Sequence, residues 1–120
     1  MHNLNRRRSL AGLALLLALP GAALAHHGWS AYDSAKGIKA TGPLKSVAWR
    51  NPHGEAQMDY QGKTWAVILA PTSRMESRGL TQDMLKDGTV ATVEGYPRTD
   101  GTPEMRLERI TVAGKTVELR

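Results

Sequence analysis

Histidine is the residue type in this chain with the most evident chemical potential, and its placement is uneven. Apart from His2, the histidines are the adjacent pair His26 and His27 and the single His53. An imidazole on the first residue of a chain is a better donor than an internal one, because the α-amine of the same residue closes a chelate ring with it. Amine and imidazole nitrogens together suit copper(II) best among the divalent first-row metals. The α-amine also gives up its proton near neutral pH, so it becomes a ligand at little cost. His26 becomes a first residue if the segment before it is removed, and that segment has the parts of a secretory signal. Arg6, Arg7 and Arg8 precede an apolar run with Leu13, Leu15, Leu16, Leu17 and Leu19, which breaks at Pro20 and Gly21. Ala23, Leu24 and Ala25 supply the small-x-small box of a cleavage site, so a signal peptide over residues 1–25 is expected, cut before His26. The apolar stretch from Leu10 to Ala25 is shorter than the roughly 20 residues that cross hydrocarbon, and no stable membrane anchor is expected after cleavage.

With His53 added, the amine and two imidazoles resemble the three-nitrogen histidine brace of copper monooxygenases, a resemblance confined to the terminal histidine and one distant histidine. His27 offers another arrangement, binding together with the terminal amine and its own backbone nitrogen. His26, His27 and His53 are therefore the candidate metal ligands, and copper is the candidate cofactor. Reach limits the idea. About ten residues of lead segment extend at most roughly 33 Å, whereas a straight strand from Lys36 to Asn51 covers about 50 Å, so the two histidine sites meet only if that strand bends. The plainer reading has the pair on an exposed terminus and His53 in a turn packed on Trp49.

The rest of the chain offers little catalytic machinery, and no catalytic residue is assigned. Ser30 and Asp33 lie near the histidine pair, but a triad requires a base oriented in space by a third group. Glu55 and Asp59 alternate on what reads as a solvated strand face. The expectation is a periplasmic or secreted binding protein without enzymatic activity, whose ligand is a metal ion. The competing expectation is a module that binds a periplasmic protein or glycan through Trp29, Trp49 and neighbouring loops. Nucleic acid is a poor partner: three of the 16 Lys plus Arg and none of the 11 Asp plus Glu lie in the leader, which leaves the mature chain at only +2. Arg6 and Arg7 also resemble a twin-arginine export motif, although Ser9 and Ala11 depart from it, and the export route stays open. With no cysteine, a chain of this size must rest on one hydrophobic core, so residues 26–120 are expected to form a single domain.

These residues must be held by strands. Ile38, Ala40 and Leu44 carry the apolar positions of a first strand, then the phase flips to Val47 and Trp49, which predicts a bulge or bend near Gly42 and Pro43. Asn51, Pro52, His53 and Gly54 read as a turn. Ala56, Met58 and Tyr60 alternate with polar residues as in a half-buried strand. Gln61 and Gly62 lead into Thr64 to Ala70, a run apolar enough for burial on both faces. Ser73 to Arg78 and Thr81 to Lys86 read as short helical turns closed by Gly79 and Gly88, with Met75 and Met84 plugging the core. Thr89 to Tyr96 is a strand, Asp100 and Gly101 mark a hairpin, and the shift from Met105 and Leu107 to Ile110 and Val112 predicts a second bulge near Glu108 and Arg109. A last short strand carries Val117 and Leu119. The succession predicts a mainly β fold, a small five- to six-stranded barrel like the oligonucleotide and oligosaccharide-binding (OB) fold, with a short helical connection between strands three and four. A small open antiparallel sandwich is the alternative.

His26, His27, Gly28 and Trp29, followed by Tyr32 and Asp33, resemble the Ala-His-His opening of small exported bacterial proteins grouped as domain of unknown function 6152. Trp49, Arg50, Asn51, Pro52 and His53 are similar to that family's tryptophan followed by an Asn-Pro-His turn, and Gly95, Tyr96 and Pro97 with Asp100 and Gly101 follow its later pattern. Gly28 stands where the family is expected to have serine. The resemblance spans essentially the whole mature chain and implies export, but the family name carries no activity.

Overall fold

Seven β-strands and one short α-helix make up the computed structural model, which describes residues 28–120. The expected signal peptide and both His26 and His27 lie outside the described residues. After a 3₁₀ turn at Gly28–Ala31 come β1 (Ile38–Pro43), β2 (Lys45–Ala48), β3 (Glu55–Tyr60) and β4 (Lys63–Ile68). Then follow α1 (Thr72–Ser77), β5 (Val90–Pro97), β6 (Glu104–Val112) and β7 (Lys115–Glu118). The fold is mainly β, and the strands form one sheet in the order β1-β5-β6-β4-β3-β2, with β7 on β6, curled into a half-barrel. All pairings are antiparallel except β4 with β6. Among the described residues, no helix is long and apolar enough to cross a membrane.

The strand count and the helix position differ from expectation for one reason. The long first strand is interrupted at Leu44, so β1 and β2 are separate, and the helix falls between β4 and β5 rather than between strands three and four. Leu44 is fully buried; its N–H donates to the Thr89 carbonyl at 2.8 Å and its own carbonyl accepts from Gly88 N–H at 2.7 Å. Ser46 then takes a positive φ of 48°. Upstream of this bend the chain pairs with β5, and downstream with β3. The apolar phase flip from Leu44 to Val47 is the sequence trace of that change of partner.

The second bulge lies where the pattern put it. Arg109 pairs with Glu94 but Leu107 pairs with Gly95, so Glu108 is the extra residue on β6. As a result Met105, Leu107, Ile110 and Val112 all face the core. A Cβ on Gly95 would collide with the Arg106 carbonyl oxygen, so only glycine fits opposite the bulge.

Inside the curl, Met58, Val67, Val93, Met105, Leu107 and Ile110 meet Met75, Leu80 and Leu85 from the helical connection. Met75 is fully buried and Met84 packs against the core only in part. The helix starts one residue before the expected Ser73 cap, with Pro71 at the N-cap position. The second helical turn is only a 3₁₀ turn, Gln82–Met84. Burial of the apolar run is also narrower than expected: Lys63 and Thr64 are exposed at the hairpin end, and full burial begins at Val67. From there the two faces separate. Ala56, Val67 and Met105 form a buried row across β3, β4 and β6, while Glu55, Ile68 and Arg106 form the adjacent row on the opposite, outer face.

Candidate functional site

A groove of about 370 Å³ lies over that outer row. Glu55, Ile68 and Arg106 line it from three adjacent strands, Arg50, Pro52 and His53 from the β2–β3 connection, and Tyr32, Arg98 and Glu104 from its far side. The β2–β3 connection contains a cis Asn51–Pro52 peptide and is tied to the start of α1 by Thr72 Oγ1 donating to Asn51 Oδ1 at 3.0 Å. Immediately after it, Gly54 N–H donates to the Ala70 carbonyl and its carbonyl accepts from Leu69 N–H, each at 2.9 Å. His53 is thus held one residue before a backbone pair. Its ring is half-buried, and Nδ1 is buried with no hydrogen-bond partner among the described residues. An unpaired buried polar atom of this kind costs about 1–3 kcal/mol.

The lead segment closes the other side of the groove. Asp33 N–H donates to the Pro97 carbonyl at 2.8 Å and Thr99 N–H to the Ala31 carbonyl at 3.0 Å, which docks the segment on the β5–β6 end. The Tyr32 hydroxyl donates to Glu104 Oε2 at 2.6 Å. Burial, reinforced by that hydrogen bond, pushes the Tyr32 phenol up to about 12. Trp29 is clamped between two guanidinium groups, Arg106 at 4.6 Å and Arg120 at 4.5 Å from its ring centre. Tyr32 and Tyr96 meet it edge-on. Gly28, at positive φ, stands so that a Cβ there would lie 4.0 Å from Arg106 Nη1. The chain therefore arrives at Gly28 near an arginine that shares a groove with His53, and the bend at Leu44 shortens the path that a straight strand would take.

The charges in the groove are nearly matched. Arg50 pairs with Glu55 at 2.9 Å, and Arg98 with Glu104 at 3.2 Å. The hydrogen bond that Arg98 donates to Glu104 holds its guanidinium charged above its usual range. Arg106 has no such partner among the described residues, and its Nε is buried without an acceptor. Burial lowers the Arg106 guanidinium below its ordinary value, and the positive charges of Arg74 and Arg120 act in the same direction.

Of the expected metal ligands, His53 lies in this groove, while His26 and His27 fall just outside the described residues. Among the described residues no cluster of three or more His, Asp or Glu side chains could hold a metal ion. Trp49 belongs elsewhere: it lines a separate groove of about 580 Å³ with Val47, Leu85 and Asp87. Ser30 is exposed and Asp33 accepts from the Ala35 N–H at 3.0 Å. Glu55 and Asp59 are engaged in different ion pairs, Asp59 with Lys45 at 2.8 Å.

Arg106 and Glu104 were not legible as site residues. In sequence they read as the outward half of an alternating strand, and only the unusually apolar Val67 to Ala70 stretch hinted that the neighbouring outer face was covered. Among the curated proteins no sequence matches this one. A family of unknown function, DUF6152, matches over residues 14–106, a span that takes in the lead segment, the His53 turn and the groove-lining part of β6. The chain belongs to the DUF6152 family.

Proposed function

We propose that the mature chain, residues 26–120, is an exported periplasmic binding protein without catalytic activity that takes copper(II) on the amine and imidazole of His26 together with the imidazole of His53. His27 is the alternative donor. The observation that supports this reading is that Arg106 and His53 line one groove: Gly28, the first described residue, comes near Arg106, and His53 has a buried Nδ1 with no partner among the described residues. The two residues between Gly28 and the cleavage site add at most about 7 Å of reach, to which an imidazole adds its own length. A metal bond to His53 would remove the cost of its unpaired nitrogen.

The architecture proposed for this domain is OB-like. If β1 and β2 are counted as one strand bent at Leu44, the strands close in the order one, two, three, five, four and back to one, with the parallel pair between three and five. In this count β7 is an addition to the rim.

Copper titration by calorimetry tests the reading with three proteins: chain beginning at His26, the same chain carrying one extra N-terminal residue, and His53→Ala. The first is expected to bind one ion most tightly, and each of the others more weakly. Equal, weak binding by the first two would rule out the terminal amine as a ligand. Intact mass of exported protein checks the cleavage site itself.

A second reading is favoured by the separate groove at Trp49, where an indole stands beside Gln82, Asp83 and Asp87. An aromatic face with nearby acids and an amide suits a sugar ring, so a glycan is the competing ligand. Trp49→Ala would abolish glycan binding without changing the copper titration.

A further inference from the structure

We propose that the groove over the outer face of β3, β4 and β6 binds a small organic monocarboxylate, with Arg106 as the residue that receives the carboxylate. This inference shares the groove with the copper reading but does not require the ion.

Charge selects the ligand. Two of the three arginines in the groove are neutralised by carboxylates in the same groove, Arg50 by Glu55 and Arg98 by Glu104. Arg106 is left as one uncompensated positive charge, half-buried and without an ion-pair partner among the described residues. A guanidinium offers paired N–H donors that match the two oxygens of a carboxylate. Here the Nε–H is buried and has no acceptor among the described residues. The ring of Trp29 on one side, 4.6 Å from the guanidinium carbon, fixes the group in place, so little side-chain freedom is lost on binding. A single negative charge completes the balance. A dianion such as phosphate would face Glu55 and Glu104 across the same small space.

Shape adds the organic part. A bare ion would leave most of the roughly 370 Å³ unfilled, and Ile68, Pro52 and the Tyr32 ring offer surface for an apolar body. The groove falls in the size range of small-molecule sites, about 300–1,000 Å³.

The probe is benzoate, added to the chain beginning at His26 in the presence of a chelator, with benzamide as its uncharged counterpart and inorganic phosphate as the dianion. Binding is read by calorimetry and by the NMR signal of the Arg106 Nε–H, identified by its absence in Arg106→Gln. Benzoate is expected to bind saturably and to move that signal, with binding weaker by roughly tenfold or more in Arg106→Gln and partly retained in Arg106→Lys. If Arg106→Gln does not fold, assignment from the wild-type protein still gives the Nε–H response. The proposal is overturned if the Nε–H signal is indifferent to benzoate, if benzamide binds equally well, if phosphate binds in preference, or if Arg106→Gln binds benzoate unchanged. Protein that takes benzoate but no copper keeps this inference and loses the metal reading, and the converse result separates them the other way.

Discussion

Removing one hydroxyl, in Tyr32→Phe, tests how firmly the lead segment is held against the groove. The hydrogen bond sets the magnitude, and the titration of the phenol sets the pH dependence. The hydrogen bond from Tyr32 to Glu104, at 2.6 Å, ends on a charged acceptor, a class contributing about 1.5–3 kcal/mol. Glu104 keeps its bond from Arg98 at 3.2 Å in the variant, so no carboxylate is stranded and the lower end of that range applies. The pH dependence comes from the phenol itself, which loses its proton near 10 in the unfolded chain and at about 12 in the folded one. Burial, the larger cause, penalises the phenolate, so the shift sets how much stability is lost as the unfolded phenol ionises, at most about 2.7 kcal/mol before solvent screening of this half-buried group. Near neutral pH the variant should therefore unfold with a stability about 1.5 kcal/mol lower, some 5–10 °C in melting temperature for a domain of this size. The pH dependence follows from a folded value raised above the unfolded one. The contribution is complete below about pH 10, and it fades as the pH rises toward about 12, because the unfolded phenol has already ionised there. Urea unfolding of both proteins across this interval should show the gap between them closing, while lysine titration, common to both, cancels. A gap that stays constant to about pH 12, or a Tyr32 absorbance change centred near 10, would refute the reasoning.

The remaining predictions concern packing. Met75→Ala opens a hole in the centre of the curl, where the side chain is fully buried, and should cost about 2–5 kcal/mol by urea unfolding, whereas Met84→Ala, only partly buried, should cost less. Gly95→Ala drives a methyl into the Arg106 carbonyl, which is backbone and cannot swing aside, so the β6 bulge must shift; a loss of more than about 2 kcal/mol is expected. Gly54→Ala meets the Met75 Cε at 3.0 Å and the Leu69 Cδ1 at 3.2 Å, both at the flexible ends of side chains, and should cost less than Gly95→Ala in the same assay.

Period-two alternation made the strands and both irregularities legible, because a bulge leaves its mark as a phase flip: Leu44 to Val47 in the first case, Leu107 to Ile110 in the second. What alternation does not carry is the length of the interruption. At Leu44 the break is long enough to end one strand and begin another, since the residue exchanges hydrogen bonds with Thr89 and Gly88 instead of a ladder partner. Half of the site was legible for a similar reason. His53 stands out by type, and its turn by Asn-Pro. Arg106 does not stand out, because an arginine between Met105 and Leu107 is what any half-buried strand displays on its wet side. Its significance comes from pairing across chain-distant elements, with Ile68 beside it in register and Trp29 stacked on it. Neither relation has a local sequence signature.

The parallel β4–β6 pair explains why the groove lies where it does. The two parallel strands run in the same direction but are staggered, so the end of β4 at Ile68 falls beside the early part of β6 at Arg106, and the start of β3 at Glu55 joins the same row through its antiparallel partner. The β2–β3 and β5–β6 connections therefore contribute to one rim, one bringing His53 and the other Arg98, with Glu104 beside it at the start of β6. The lead segment docks on the β5–β6 end through Tyr32 and its neighbours, which brings Gly28 near Arg106. A copper ion held at His53 would feel the Arg106 charge, which has no ion-pair partner among the described residues, as repulsion, and a carboxylate on Arg106 would remove that repulsion. If both ligands bind, they should therefore strengthen one another, and by linkage the gain in copper affinity with benzoate present must equal the gain in benzoate affinity with copper present.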